Sequence, residues 1–252
     1  MKESGGTLLG RETELERVEG WLSEAARGHG RLAWVEGEAG IGKSSLASAA
    51  IGLAAAGGFL THSAAAAELA GGRPFETIAE CLDISPDSAD ERRRDVAEAL
   101  AAEPEGSVET GLPPTLDGGE REQWLIEQLF TIVEDDCARG PLLMVLDDVH
   151  WVDSSSLGFI ARLARSAPAL PLAVLATVRS GPRSERLDLI VASTTEAGAE
   201  RLIPRPLDEP SVIELAELHA GGRPGPALVA QLRSCAGNPL FTSELILSLI
   251  HI

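Results

Sequence analysis

The stretch Gly37-Glu-Ala-Gly-Ile-Gly-Lys-Ser44 decides the fold, since it has the G-x-x-x-x-G-K-[ST] spacing of a phosphate-binding loop. Its glycines allow positive φ angles, and the backbone N–H groups of such a loop point inward and cradle a polyphosphate. Lys43 is placed to reach the β- and γ-phosphates, and the Ser44 hydroxyl to ligate Mg²⁺. The residues that we predict to contact the nucleotide here are Gly37, Glu38, Ala39, Gly40, Ile41, Gly42, Lys43, Ser44 and Ser45.

The sequence on either side fits this loop. Residues 31–35 are a short apolar run typical of a buried strand, and residues 44–56 form an Ala-rich helix that ends at Gly57-Gly58. The phosphates would therefore also meet a helix N-terminus, which favours anions. A glycine-rich turn with a chance lysine is the alternative, and the strand before and helix after disfavour it.

A second motif, Leu142-Leu-Met-Val-Leu-Asp-Asp148, is an apolar run that ends in two carboxylates. Such a run is typical of a central parallel strand, and its C-terminal end lies at the edge where open α/β sheets bind ligands. We predict that Asp147 holds Mg²⁺ and that Asp148 orients the attacking water. A helix N-cap aspartate with a solvated neighbour is the alternative.

Arg179 follows another apolar strand, over residues 170–177. Its guanidinium matches phosphate oxygens, so we predict that it senses the γ-phosphate, with a solvent-facing arginine as the alternative. The predicted catalytic residues are thus Lys43, Asp148 and Arg179. His150 and Trp151 are predicted to pack, and His29, His62 and His219 receive no role.

Composition bounds the class of protein. The 252 residues suffice for one large α/β domain, or for one domain and part of another. The net charge of −18 argues against nucleic-acid binding by this segment. No apolar run approaches the roughly 20 residues of a membrane helix, and no signal-peptide core is present. Three widely separated cysteines favour a reducing cytoplasm and no zinc site.

Residues 83–136 carry much of the negative charge, with 16 acids and 4 bases. This stretch is interpreted as a solvated helical insertion, with a docking face for a basic partner as the alternative. Within it, residues 103–119 are rich in Gly, Pro and acid and are predicted to be a mobile loop.

Strand and helix patterns alternate along the chain and predict a three-layer α/β P-loop NTPase fold. The five-stranded, mainly parallel sheet uses residues 31–35, 59–62, 142–146, 170–177 and 201–204. Helices are predicted after Arg11 and over residues 44–56, 76–82, 91–102, 120–138, 154–167, 211–220 and 226–235. We assign residues 1–206 to the P-loop domain and residues 207–246 to the start of a helical lid subdomain.

The last six residues, 247–252, are predicted to be a non-native tail. Reverse-translated, they match the mosaic-end adapter of transposon-based sequencing, so we expect the native gene to continue past Ile246. An ordinary apolar helix end is the alternative. A truncated lid should leave apolar side chains partly exposed, namely Val212, Ile213, Leu215, Leu218, Leu228 and Leu232.

Six motifs together resemble one protein family. In chain order they are Leu9-Gly-Arg-Glu12, the phosphate-binding loop, Leu146-Asp-Asp-Val-His-Trp-Val-Asp153, Thr177-Val-Arg179, Arg205-Pro-Leu207 and Gly237-Asn-Pro-Leu-Phe241. This order resembles the ATPase domain of large LuxR-type bacterial transcription regulators, within the AAA/STAND group of signalling ATPases. The resemblance covers nearly the whole chain to Ile246. Similar modules are attached to nucleotide cyclases and Ser/Thr kinases.

The resemblance implies a nucleotide switch that binds ATP or ADP with Mg²⁺, hydrolyses ATP and can self-associate when the full-length protein holds ATP. It places Arg11 near the base and Pro239 on the adenine, and it implies a DNA-binding domain downstream. Asp148 departs from the family pattern, which has Glu there. Since Asp is one methylene shorter, we expect slow hydrolysis.

Two rival functions remain open. One is a nucleotide-binding module that never hydrolyses and oligomerises only when loaded. The other is an ORC-like AAA+ DNA-binding ATPase, against which the acidic charge and the lack of a basic helix count.

Overall fold

The fold is taken from a computed structural model, which describes residues 8–68, 73–102 and 118–250. Most of the loop predicted over residues 103–119 lies outside the described residues. So do the first seven residues of the predicted P-loop domain and the last two residues of the predicted tail.

A parallel sheet forms the centre of the molecule. Its strands are β1 (Arg31–Gly37), β2 (Leu60–Ala65), β3 (Leu142–Asp147), β4 (Leu172–Arg179) and β5 (Glu200–Leu202). Their order is β2-β3-β4-β1-β5, and every neighbouring pair is parallel. The prediction of a five-stranded P-loop NTPase sheet is therefore confirmed.

Helices connect the strands and continue after the last of them. They are α1 (Glu12–Ala26), α2 (Lys43–Ala56), α3 (Glu76–Cys81), α4 (Glu91–Ala101), α5 (Gly118–Arg139), α6 (Ser154–Ser166), α7 (Glu185–Glu196), α8 (Glu209–Ala220), α9 (Pro226–Leu232) and α10 (Pro239–Ile250). α7 was not predicted from the sequence. Its β-branched residues have low helix propensity, and the helix is stabilised by burying Leu187 and Val191 against the core.

The sheet is buried on both faces. Along β3, Met144 and Leu146 contribute to the larger core beneath α3–α7, while Leu143 and Val145 face the smaller core beneath α1 and α2. Alternate residues of one strand point to opposite faces, so a strand covered by helices on both sides must be apolar throughout. This gives the three layers that the sequence predicts.

The C-terminal helices, α8–α10, have a small apolar core of their own. Two of the side chains expected to be partly exposed, Val212 and Leu232, are instead buried there, because Ile246 of α10 packs into the same cluster. Leu218 agrees with the expectation, since it is 74% exposed. α10 continues past Ile246 to Ile250 as one helix.

Within the parts of the chain that the structure describes, none of the helices combines the length and apolarity that a membrane span requires.

All three cysteines are free and buried, and burial raises the pKa of Cys81 and of Cys137 to about 12. Both side chains are therefore protonated thiols at neutral pH.

Candidate nucleotide-binding site

The phosphate-binding loop connects the end of β1 to the start of α2. Gly40 and Gly42 have φ angles of 76° and 102°, a left-handed conformation that side chains rarely adopt. Lys43 folds back along the loop, and its Nζ donates to the carbonyls of Gly37 and Glu38 at 3.0 Å each. The loop thus has the curled backbone that the motif predicts, with the N-terminus of α2 at its end.

Lys43 is an ammonium group in a poorly solvated place. Burial lowers its pKa from the ordinary value and the charge of Arg179 acts in the same direction, while Asp148 and Asp147 oppose the shift. The side chain is 7% exposed. A buried cation that is only partly compensated gains from an anionic ligand, and a phosphate would be such a ligand.

The two carboxylates at the end of β3, Asp147 and Asp148, are held in different ways. Asp147 accepts hydrogen bonds through Oδ1 from the Thr177 hydroxyl and from the backbone N–H of Asp148, the latter at 3.2 Å. The same Asp148 N–H also donates to Thr177 Oγ1, with 2.8 Å between the nitrogen and the oxygen. Asp148 has a φ of 54°, and its side chain is 42% exposed and lines the cleft above the loop. One acid is therefore anchored to β4, and its neighbour faces the cleft.

The oxygen donors at this edge of the sheet fit Mg²⁺. Ser44 is exposed in the first turn of α2, and Asp147 keeps its Oδ2 without a hydrogen-bond partner among the described residues. Mg²⁺ prefers hard oxygen ligands and usually binds through one or two carboxylates together with phosphates. Within the described residues no group of three or more His, Cys, Asp or Glu side chains could hold a metal.

Arg179 ends β4 directly beside the loop, where it pairs in register with Gly37. Its side chain is exposed and lines the cleft. Its charge reaches both Lys43 and His150, since it lowers the pKa of each. The position is suited to an incoming phosphate.

His150 lies in the cleft wall, although the sequence predicts a packing role. Its Nδ1 is buried, has no hydrogen-bond partner among the described residues and lies 3.8 Å from Asp148 Oδ1, too far for a hydrogen bond. The pKa of His150 is lowered, and burial is the largest cause. The charges of Arg179 and Lys43 also lower this pKa, while the charge of Asp148 raises it. The ring also stacks at a tilt on Trp151, with 4.8 Å between centroids.

The cleft itself has a volume of about 700 Å³ and is lined by both polar and apolar residues. The polar lining includes loop residues, Asp148, His150 and Arg179. The apolar lining includes Leu8, Leu9, Leu207, Leu215, Leu218, Pro239 and Leu240. Polar groups for phosphates together with apolar side chains for a planar base suit a nucleotide.

Arg11 is 2% exposed and borders the same cleft. Its guanidinium donates to the Ile41 carbonyl at 2.6 Å, to Glu14 Oε1 at 2.9 Å and to the Arg205 carbonyl. Arg11 therefore connects the start of α1 with the loop and with the segment that precedes the C-terminal helices. Its contact with a base remains a prediction.

Asn238, one residue before α10, contacts the loop directly. Its Nδ2 donates to the Ala39 carbonyl at 2.9 Å, and its Oδ1 accepts from the backbone N–H of Leu240 at 3.0 Å. Asn238 and Thr177 lie within two of the motifs quoted above, and neither was predicted to have a role. An Asn before a helix start and a Thr at the tip of a strand next to the acidic one were the available signals.

The chain belongs to the AAA ATPase domain family, whose family model matches residues 7–175. This match covers the loop, both carboxylates and most of the sheet. It ends before Arg179 and before the C-terminal helices.

One relative and two solved structures show how far the similarity extends. An uncharacterised protein of Rhizobium meliloti (strain 1021) is 26% identical over an alignment covering 81% of this chain and 21% of that protein. The Aeropyrum pernix ORC2 protein, in its ADPNP-ADP complexes, is 13% identical with a TM-score of 0.58, covering 98% of this chain and 64% of that one. AMPPCP-bound DnaA from Aquifex aeolicus is 14% identical with a TM-score of 0.51, and the match covers 96% of this chain and 61% of that one. These structures show the fold, and the chain spans about a fifth of the bacterial relative.

Proposed function

We propose that this segment binds ATP with Mg²⁺ and hydrolyses it slowly, as the nucleotide switch of a cytoplasmic signalling protein. One observation carries the proposal. Lys43 is a buried cation in a curled phosphate-binding loop, and both carboxylates at the end of β3 lie close enough to shift its pKa. Membership of the AAA ATPase domain family supports the same function.

The proposed roles follow from position. The loop N–H groups from Gly37 to Ser45 and Lys43 hold the phosphates, and Ser44 and Asp147 ligate Mg²⁺, which would neutralise charge on the phosphates. Asp148 accepts a proton as water attacks the γ-phosphorus and the bond to the β–γ bridging oxygen breaks, leaving ADP. Arg179 stabilises the charge on the γ-phosphate.

The apolar side chains of the cleft would contact the base. Pro239 lies against Gly42, with its Cγ 4.0 Å from a β-carbon built on that glycine, so it borders the place where the loop meets α2. A flat ring gains from leaving water between such side chains, which supports Pro239 as the residue that packs on the adenine. Arg11 would lie at the edge of the base.

We also propose the type of protein to which this segment belongs. The order of the six motifs favours a LuxR-type transcription regulator, with residues 1–206 as the ATPase domain, 207–246 as part of a lid and 247–252 as a foreign tail. A DNA-binding domain would then lie outside this segment, whose net charge of −18 disfavours direct contact with nucleic acid. Attachment to a cyclase or Ser/Thr kinase is the alternative output, and self-association would accompany ATP binding.

The test separates a hydrolase from a module that only binds. Binding of a fluorescent ATP analogue with Mg²⁺ is measured first, followed by single-turnover phosphate release by the full-length protein. We expect slow release of one phosphate per bound ATP. Binding without release would favour the non-hydrolysing oligomerisation module.

Lys43→Ala is the matched control for the site. It removes the cation that faces the β- and γ-phosphates in a partly desolvated place, so binding should be abolished. An unchanged affinity would show that this loop is not the site.

A further inference from the structure

Three consecutive peptide groups of the phosphate-binding loop are held from outside the loop. The Ala39 carbonyl accepts from Asn238 Nδ2 at 2.9 Å, and the Gly40 carbonyl accepts from the N–H of Leu240 at 3.2 Å. The Ile41 carbonyl accepts from Arg11 Nη2 at 2.6 Å. The donors come from both sides of the cleft, two from the start of α10 and one from the residue before α1.

Holding a carbonyl also fixes the N–H of the next residue. A peptide group is planar and trans, so its C=O and N–H point in opposite directions. The three anchored carbonyls therefore set the directions of the N–H groups of Gly40, Ile41 and Gly42. These N–H groups belong to the loop that is built to cradle phosphates.

Such anchoring matters because the loop is rich in glycine. Gly40 and Gly42 can rotate their peptide groups more freely than other residues, and that freedom is lost when a phosphate binds. Inside the loop, the Ile41 N–H makes a long bond of 3.4 Å to the Glu38 carbonyl. External anchors that set the directions beforehand reduce the entropy lost on binding.

We propose that Asn238 and Arg11 are positioning residues that orient the N–H groups of the phosphate-binding loop. Phosphate affinity is then coupled to the docking of α10. The inference rests on the proposed function, because it concerns the same phosphates.

The chemistry of Asn238 points to more than a helix cap. Its Oδ1 accepts from the N–H groups of Leu240 and Phe241, at 3.0 and 3.4 Å, which caps α10. Serine or aspartate would do this as well. Only the amide can cap the helix with one atom and donate to the Ala39 carbonyl with the other, and at 6% exposure it does so nearly out of water.

The packing of α10 on Gly40 strengthens the coupling. A β-carbon added to Gly40 would lie 2.5 Å from the Leu240 β-carbon, so the helix start rests directly on the loop backbone. Coupling of this kind is reciprocal. Bound phosphates must therefore stabilise the docked position of α10 by the same factor by which docking raises phosphate affinity.

The test compares Asn238→Ser with the wild-type chain, since serine keeps an oxygen for the cap but lacks the amide NH₂ group that donates to the Ala39 carbonyl. Affinities for ADP, inorganic pyrophosphate and adenosine are measured by competition with a fluorescent adenine nucleotide. We expect ADP and pyrophosphate to bind about tenfold more weakly, as for one lost hydrogen bond to a buried group. Adenosine, which has no phosphate, should change by less than about twofold.

Three further variants sharpen the comparison. Asp208→Ser alters the cap of α8, where Asp208 accepts from Ser211 at 2.9 Å, and should leave all three affinities unchanged. Asn238→Asp should lower the affinity for ADP more than Asn238→Ser does, since it adds a negative charge near the phosphates. The affinity of this variant should also depend on salt concentration. Arg11→Lys should also weaken the binding of ADP and pyrophosphate, because lysine lacks the fork that makes three contacts.

The possible results of these measurements distinguish failure of the inference from failure of the proposed function. Equal losses for adenosine and ADP would mean that α10 acts only as a wall of the cleft and would overturn the inference. Unchanged ADP and pyrophosphate affinities in Asn238→Ser would do the same, with the proposed function intact. A wild-type chain that binds neither ADP nor pyrophosphate would instead overturn the proposed function and the inference with it.

Discussion

Two clusters of charged side chains in this protein use similar residues and differ in how they are satisfied. The cleft cluster comprises Lys43, Asp148, His150 and Arg179. The buried ion cluster comprises His62, Arg93, Asp136 and Arg139. In the buried ion cluster, Asp136 accepts from His62 at 2.9 Å, from Arg93 at 2.7 Å and from Arg139 at 3.0 Å. In the cleft cluster, Asp148 Oδ1 and His150 Nδ1 are 3.8 Å apart and form no hydrogen bond.

The difference separates structure from function. The carboxylate of Asp136 is fully enclosed and has protein partners on both oxygens, so it needs no ligand to satisfy its charge. The cluster connects β2, α4 and α5. The groups of the cleft cluster face a cavity, and one buried nitrogen has no partner among the described residues. An unsatisfied polar group beside a cavity marks a binding site, whereas a closed network of charges marks a structural contact.

Asp136→Ala should have the largest effect on stability. It leaves Arg93 buried and without its main partner, which costs about 3–5 kcal/mol of unfolding free energy. Urea unfolding measures this, and nucleotide affinity at a temperature where the variant is folded should be unchanged. Asp135→Ala is the matched control, since that side chain is 54% exposed and its ion pair with Arg92 is 3.4 Å long. A stable Asp136→Ala variant would contradict the comparison.

Asp148→Asn should leave stability intact and slow hydrolysis by about 100-fold or more, because an amide cannot accept a proton from the attacking water. Binding of ATP with Mg²⁺ should persist. Asp147→Asn should instead weaken the Mg²⁺ dependence of binding. Single-turnover rates and Mg²⁺ titrations measure the two effects, and a wild-type rate for Asp148→Asn would show that the roles of the two acids are wrongly divided.

Arg179→Ala should reduce the preference for ATP over ADP by about 1.5–3 kcal/mol, the usual value of a hydrogen bond to a charged group. Since only ATP has the γ-phosphate, ADP affinity should change little. Competition titrations with both nucleotides give the ratio. Arg183→Ala is the control, because Arg183 pairs with Glu36 at 3.1 Å and is expected to affect stability alone. Equal losses for ATP and ADP would place Arg179 at the diphosphate or in packing.

The pH dependence of stability gives the smallest effect. Burial alone would raise the pKa of Asp136, but hydrogen bonds from His62 and the charge of Arg93 outweigh it, so the pKa lies below its ordinary value of 3.8. The stability that the carboxylate contributes is therefore complete above that value and is lost as pH falls through the lowered folded-state pKa. Unfolding of the wild-type chain and Asp136→Asn, compared between pH 7 and 3, should show the difference shrinking only at the acid end. A difference that is constant throughout would rule out this account.

The parts of the site that were predictable share one property. The loop around Lys43 and the acids after β3 are runs of adjacent residues whose chemistry depends on local spacing, so they can be recognised without knowing the fold. Arg179 could also be predicted, since it follows an apolar strand, and that strand, β4, lies beside β3 in the sheet. α7 was missed because its helix propensity is low and its stability comes from packing Leu187 and Val191.

What the sequence by itself determined is the chemistry near the loop: a phosphate cradle, a cation, two carboxylates and a parallel sheet to hold them. Only the tertiary structure decided which distant groups surround that chemistry. Asn238 is 199 residues from Ala39, and Asp136 is 74 residues from His62. The physical reason is that a hydrogen bond extends about 3 Å, so distant residues meet only after the sheet and helices have packed.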